Sequence, residues 1–306
     1  MSTATHPHPS HSTIKRARQH AVWMFLAPSV IILAVFVFVP LISSLGLSVM
    51  RIDIFMTNIG FAGLENFRRM IGDERFWRAA GNTLYFAALA VPLQILLALA
   101  VSALVSRDTR WNRLLRSIYY VPFVCSMVAI SIVWSMLLDP NMGLLPYLLR
   151  SVGIESVAFL KDPNLAMPTI VAITAWKGFG YLVTILTAAI LNVPASLNEA
   201  AQLDGAGPLR SFLRITIPEI WPTVTFCIVT TMIASLQVFD QAYVMTRGGP
   251  NGRTETLVQY IYNRGFQIAP FNLGYASSIA VFLFFIIAIL TFLLRRFILG
   301  RGEDEA

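Results

Sequence analysis

Long uncharged, apolar stretches recur along the chain, separated by short charged segments. The first runs from Ala21 to Met50, the second lies between Arg78 and Arg107, and the third between Arg116 and Asp139. The fourth, Ala166 to Leu191, carries only Lys177; the fifth runs from Ile220 towards Thr246 with Asp240 inside it; the sixth lies between Arg264 and Arg295. A hydrocarbon core of about 30 Å takes about 20 helical residues to cross, and each stretch is long enough. Lipid offers the backbone no hydrogen-bond partner, so these stretches are expected to be helices. The pattern predicts an all-α integral membrane protein with six transmembrane helices. The expected spans are 21–49, 79–106, 117–138, 166–191, 220–245 and 271–294. They form one membrane domain, 21–298, between an N-terminal tail, 1–20, and a C-terminal tail, 299–306.

Between the spans, Phe61, Leu64, Phe67, Met70 and Ile71 recur at helical spacing among charges, which predicts a short amphipathic helix at the interface. The first span follows Lys15, Arg16 and Arg18 like a secretory leader. Its apolar run is too long for a cleavable segment, so it reads as an uncleaved anchor.

Composition agrees with a membrane class. Hydrophobic residues are 56% and charged residues 13% of the 306, and mean hydropathy is +0.67. Soluble domains carry about 25% charged residues, so too little polar surface exists here to cover a globule. The net charge of +7 is assigned to span-flanking Lys and Arg, not to nucleic-acid binding. Cys125 and Cys227 both lie in apolar runs and read as inert small hydrophobes. His6, His8, His11 and His20 fall in the N-terminal tail and read as solvated, and no metal site is expected. The cluster Arg107, Arg110, Arg113 and Arg116 favours both termini on the cytoplasmic side. Against it, Arg51, Arg68, Arg69, Arg75 and Arg78 precede the second span on the other side.

The segment 192–219 between the fourth and fifth spans is the most informative. Ser196 precedes Glu199 at capping-box spacing, which predicts a helix start. That helix meets Gly205, suited to a left-handed C-terminal cap. Pro208 suits the first position of a second helix, which carries Leu209, Phe212, Leu213 and then Thr216 on one side and Arg210 and Arg214 on the other. Pro218 is expected to end it. Such a helix–Gly turn–helix is shaped to enter a partner's groove.

Here the residues take on a specific likeness. Glu199-Ala200-Ala201, Asp204-Gly205-Ala206 and Ile215-x-Ile217-Pro218 resemble the EAA loop of bacterial ABC importer permeases, with Ile217 at the usual Leu. Met245-Thr246-Arg247-Gly248-Gly249-Pro250 and the run from Thr254 to Tyr262 resemble the carbohydrate-uptake, maltose-type branch. The resemblance implies that Glu199, Ala200, Ala201, Asp204, Gly205 and Ala206 form a cytoplasmic coupling helix docking on a separate ATPase. It implies that the loop at Gly248, Gly249 and Pro250 faces an extracytoplasmic solute-binding protein. It also implies a second, homologous permease subunit, a dimer of ATP-binding-cassette subunits, a location in the bacterial inner membrane, and sugar as cargo. No cofactor is expected on this chain, with ATP and Mg on the partner ATPase. No GxxxxGK[ST] occurs in the sequence, so this chain does not offer that nucleotide motif.

A sugar needs hydrogen-bonding groups and an aromatic face, and polar residues within spans are costly enough to mark function. The fourth span offers Trp176, Lys177, Gly178 and Tyr181; the fifth offers Thr231, Ser235, Gln237, Asp240 and Gln241. Lys177 and Tyr181 share a helix face. So do Thr231, Ser235 and Val238, with Gln237, Asp240 and Gln241 on a neighbouring stripe. By spacing from Glu199, Tyr181 and Gly178 fall where maltose-type permeases contact sugar, and Thr231 and Ser235 fall at that family's fifth-span contacts. The family's amide residues are not reproduced position for position, so the resemblance leaves the sugar open. Asn82 and Tyr85 on the second span are further candidates. Structural roles suit some of the same residues: Lys177 reaching the outer interface, Asp240 pairing with it, and Trp176 and Tyr181 in an interfacial belt. The alternative function is a stand-alone secondary transporter or channel, for which Asp240 is the acidic candidate within a span. A membrane enzyme lacks support, because no HExxH or GxSxG and no intramembrane His occurs.

Overall fold

The computed structural model describes residues 23–56, 59–107, 109–154 and 157–299. The tail histidines, Lys15, Arg16, Arg18 and Arg301 lie outside the described residues, as does the start of the first expected span.

Helix α1, Trp23–Ser48, is apolar around its whole circumference, and its most hydrophobic window buries nothing within the chain. A helix greasy on every side is stable only where lipid or a partner helix surrounds it. Its second half lies along the last helix. A minimal antiparallel hairpin follows, β1 (Met50–Arg51) and β2 (Gly60–Phe61), with Met50 opposite Phe61. The amphipathic helix expected over 61–78 is corrected here. Phe61 belongs to β2, Leu64 precedes the helix, and α2 spans only Glu65–Ile71. Met70 is buried, whereas Phe61, Leu64 and Ile71 are exposed. The chain then turns at Asp73, whose carboxylate caps α3, Glu74–Val105.

The third expected span is not one helix. It is α4 (Arg110–Val124) and α5 (Met127–Leu137), bent by 93°. Pro122 lacks an N–H in the last turn of α4, and Cys125 and Ser126 adopt extended backbone. Helix α6 is Leu144–Ser151 and α7 is Ala166–Leu191. The EAA-like segment forms α8 (Ala195–Leu203) and α9 (Pro208–Glu219), the middle of α9 being wound as a π-helix over Phe212–Thr216. The fifth expected span is also divided: α10 (Trp221–Leu236) and α11 (Asp240–Thr246) flank a break at 237–239. Helix α12, Leu257–Tyr262, continues as a π-turn to Gln267, and α13, Leu273–Leu299, closes the chain. Helices α1, α3, α7 and α13 are each long and apolar enough to cross a membrane. The bent pairs α4–α5 and α9–α10 supply two more where each pair is one span.

The most extensive helix packing is α3 on α7. Their contact, with α10, encloses Val91, Ile95, Ala98, Leu182, Val183, Leu186, Val224 and Cys227. Close approach is built into α7 at Gly180, where an added Cβ would stand 1.8 Å from the Tyr119 carbonyl oxygen. The backbones of α4 and α7 therefore touch there, and only glycine fits. Two further cores lie nearer the start of α3, one around Phe76, Tyr260, Tyr275 and Ile279, the other around Phe86, Ile170, Val171 and Val238.

Candidate functional site

All eight residues expected at the substrate site line one cleft of about 590 Å³: Lys177, Gly178 and Tyr181 from α7, Thr231 and Ser235 from α10, Gln237 from the break, and Asp240 and Gln241 from α11. Such a volume falls within the range of small-ligand sites. The helix spacing invoked for the fifth-span residues does not persist through the break, because Phe239 leaves helical geometry. Irregular backbone inside an apolar bundle is tolerated where it lines a cavity, and this break lines the cleft. The carbonyl of Val238, which a continuous helix would satisfy, accepts a bond from Thr256 Oγ1 at 2.8 Å instead.

One wall is aromatic. Tyr181 stacks on Phe123 with ring centroids 4.6 Å apart and planes 13° from parallel. Among the described residues Lys177 reaches no carboxylate and does not pair with Asp240. Its Nζ donates to the Phe123 carbonyl at 3.0 Å and lies 5.1 Å from the Phe123 ring centre. A cation at the carbonyl end of α4 is favourable, so Lys177 caps the helix that Pro122 interrupts. Gln241 donates from Nε2 to Thr174 Oγ1 at 3.2 Å. Trp176 turns away from the cleft and meets Trp134 edge to face. Asn82 is also elsewhere, donating to the carbonyls of Gly252 and Glu255, and the Tyr85 side chain is exposed outside the cleft.

Among the lining residues that sequence reasoning missed are Gln94, Phe123 and Thr174. Gln94 carries a legible signal, an amide deep within an uncharged span. Phe123 and Thr174 carry none of their own, since aromatic and β-hydroxyl residues are common inside apolar helices. Gln94, Thr231 and Ser235 are each more than nine-tenths buried, and no hydrogen bond to their side chains exists among the described residues.

The EAA-like segment projects as a helical hairpin. Helix α8 starts at Ala195 behind Pro194, and Ser196 stands inside its first turn without a capping bond, correcting the expected capping box. The proline supplies the start instead. At the other end Gly205 is left-handed, φ +77°. The Ala206 N–H donates to Ala201 O at 2.9 Å and the Gly205 N–H to Gln202 O at 3.0 Å. This double bond pattern is the Schellman cap. Ser211 Oγ bonds Asn198 Oδ1 at 2.8 Å and locks the two helices together. Pro208 begins α9, but Pro218 does not end it; the helix runs to Glu219 before a 74° bend into α10. A proline within the first turn after a π-wound segment loses no N–H partner that the wider ladder needs. Glu199, Ala200, Asp204 and Gly205 are exposed, Ala206 is half-buried and Ala201 is buried. Leu203, Leu209 and Leu213 are exposed as well, an apolar surface at the tip of the hairpin.

The Gly-Gly-Pro loop is shaped from within. Arg247, Gly248, Asn251 and Gly252 all have positive φ. Thr254 Oγ1 bonds Gly249 O at 2.6 Å, and Asn82 of α3 holds the Gly252 and Glu255 carbonyls at 2.8 and 2.9 Å. Glu255 is 5% exposed yet fully matched, receiving Arg75 Nε and Nη2 and Asn263 Nδ2, each at 2.7 Å. Gly248 is buried and Gly249 and Pro250 are half-buried, so Arg247, Asn251 and Arg253 form the exposed surface of this loop.

Apolar helices around a polar cleft bounded by two discontinuous spans define a membrane transport protein. Residues 74–301 match the family described as binding-protein-dependent transport system inner membrane component, and the chain belongs to that family. It is 34% identical to the lactose transport system permease protein LacF of Rhizobium radiobacter, over 93% of this chain and 96% of that one. It is also 34% identical to the sn-glycerol-3-phosphate transport system permease protein UgpA of Agrobacterium fabrum, over 90% and 94%. Among solved structures it resembles a bacterial ABC transporter involved in the import of the acidic polysaccharide alginate. The TM-score is 0.79 at 25% identity, covering 94% of this chain and 98% of that one. A second structure of a bacterial alginate ABC transporter, in complex with its pentasaccharide-bound periplasmic protein, matches with a TM-score of 0.77 at 25% identity.

Proposed function

We propose that this chain is one permease subunit of an ATP-driven importer that carries a sugar or related carbohydrate across the bacterial cytoplasmic membrane by alternating access. The observation that carries the reading is the cleft, where an aromatic wall, hydroxyls and amides converge between discontinuous helices. Tyr181, Lys177, Gly178, Thr231, Ser235, Gln237, Asp240 and Gln241 form the cargo site, Lys177 chiefly by fixing Phe123. A second, homologous permease closes the open side of the cleft.

The hairpin around Glu199 is the coupling element. Glu199 and Asp204 offer charge, and Leu203, Leu209 and Leu213 offer apolar contact, to a dimer of ATPase subunits that holds ATP and Mg. This chain itself catalyses no reaction. The loop carrying Gly248, Gly249 and Pro250 meets the solute-binding protein, its glycines setting the shape and Arg247, Asn251 and Arg253 the contact. Both tails and the hairpin lie on the cytoplasmic side.

The test is accumulation of radiolabelled lactose, maltose, an alginate oligosaccharide and sn-glycerol 3-phosphate by cells carrying the complete system. At least one is expected to accumulate in an ATP-dependent manner. Glu199→Lys is expected to abolish uptake while the protein still inserts, by reversing the charge presented to the ATPase. Undiminished transport by that variant overturns the coupling role.

A further inference from the structure

We infer that Gln94, on α3, is a cargo-binding residue of the cleft, and that Gly178 is glycine in order to seat it. The inference rests on the proposed carbohydrate site and adds to it a residue from α3, which contributes none of the eight residues placed there.

The Gln94 side chain is 6% exposed and lines the cleft between α3 and α7. Its amide atoms are not enclosed in the core but open onto the cleft, where an amide with no protein partner is available to a ligand. The Gln94 side chain makes no hydrogen bond among the described residues. It shares the cleft with the hydroxyls of two largely buried residues, Thr231 and Ser235, which likewise make no hydrogen bond among the described residues. Three polar groups that open onto one space without protein partners are what a polyhydroxylated ligand would engage. An amide suits adjacent sugar hydroxyls well, since its oxygen accepts from one while its NH2 donates to the next.

The neighbouring glycine supports the same assignment. A Cβ on Gly178 would stand 2.2 Å from Gln94 Oε1 and 3.2 Å from its Cδ, with nothing else within 4 Å. The space that any other residue would fill at position 178 is thus taken by the end of the glutamine. Gly178 then acts through Gln94 and is a positioning residue for it. Because the atom in the way is the tip of a flexible side chain, alanine at 178 displaces the amide without disrupting the helix packing.

The experiment measures uptake kinetics in the complete system, using whichever of lactose, maltose, alginate oligosaccharide or sn-glycerol 3-phosphate the wild type accumulates. Gln94→Met keeps the length and removes the hydrogen bonds; it is expected to raise KM by up to roughly tenfold, as one lost hydrogen bond would, with little change in Vmax. Gly178→Ala is expected to raise KM similarly. In the double variant the alanine adds nothing, since no amide remains to displace. An unchanged KM in Gln94→Met, or loss confined to Vmax, overturns the assignment. Additive effects in the double variant overturn the role given to Gly178. If the wild type accumulates none of the four probes, the proposed function fails first, and this inference falls with it.

Discussion

Tyr181 has one ring face occupied by Phe123, so what it can offer the proposed cargo is the remaining face and edge of a stacked pair, not a free ring. Tyr181→Ala removes half of that platform; offset aromatic pairs contribute about 0.5–1.5 kcal/mol beyond area burial. The expected result is a raised KM for uptake with unchanged co-purification of the ATPase. Loss of the ATPase without a change in KM counts against the placement of the site. Outside the spans, Asp73 is the most heavily bonded carboxylate. Burial opposes its ionisation, but Tyr260 and Tyr275 hydroxyls and the N–H groups of Arg75 and Phe76 outweigh this and hold its carboxyl below the usual range. A depressed carboxyl contributes stability that is fully present above the unfolded value of about 3.9 and is lost as pH falls through the lower folded value. Thermal unfolding of the purified complex should therefore show a loss of stability below about pH 4 that is smaller in Asp73→Asn. The same acid sensitivity in that variant assigns the effect to other groups.

Among the elements, the hairpin depends most on one backbone angle. Gly205→Ala places a side chain at φ +77°, which costs about 1–2 kcal/mol and unwinds the cap linking α8 to α9. Uptake should fall while the spans remain inserted, and the measurement is ATP hydrolysed per sugar accumulated. An unaltered ratio removes the hinge from the mechanism. This turn was legible in the sequence because glycine announces it. The start of α8 was misread because Ser196 and Glu199 have capping-box spacing, and Pro194 fixed the first turn two residues earlier. The break at Cys125 follows Pro122, a visible helix breaker, whereas the bonds that hold both breaks open are long-range and leave no local signal: the Lys177 ammonium on the Phe123 carbonyl and the Thr256 hydroxyl on the Val238 carbonyl. The cleft residues themselves were readable because polar side chains in lipid-facing lengths of chain are costly. Gln94 is as readable as Gln237, but on its helix Asn82 and Tyr85, about three turns nearer the start, drew the reading instead.

Across the whole molecule, the Gly-Gly-Pro loop and the cleft share a buried connection. Arg75 and Asn82 fix the loop to α3, and Thr256 bonds the cleft-lining break. Thr256→Val leaves the Val238 carbonyl buried and unpaired at a cost of about 1–3 kcal/mol. It should lower the unfolding temperature and slow uptake together; an unchanged uptake rate in a destabilised variant separates the loop from transport. Sidedness is testable on the same scale. With Cys125→Ser and Cys227→Ala as background, a membrane-impermeant maleimide added to intact cells should label Arg247→Cys and spare Glu199→Cys. The reverse pattern inverts the topology. Finally, in the proposed transport cycle the contact of Gly180 with the Tyr119 carbonyl is expected to serve as a fulcrum. Helices that touch backbone to backbone resist sliding lengthwise, so α4 and α7 are expected to tilt about that point. Distances between labels near 119 and 180 should then stay constant through the transport cycle, while those between their far ends change.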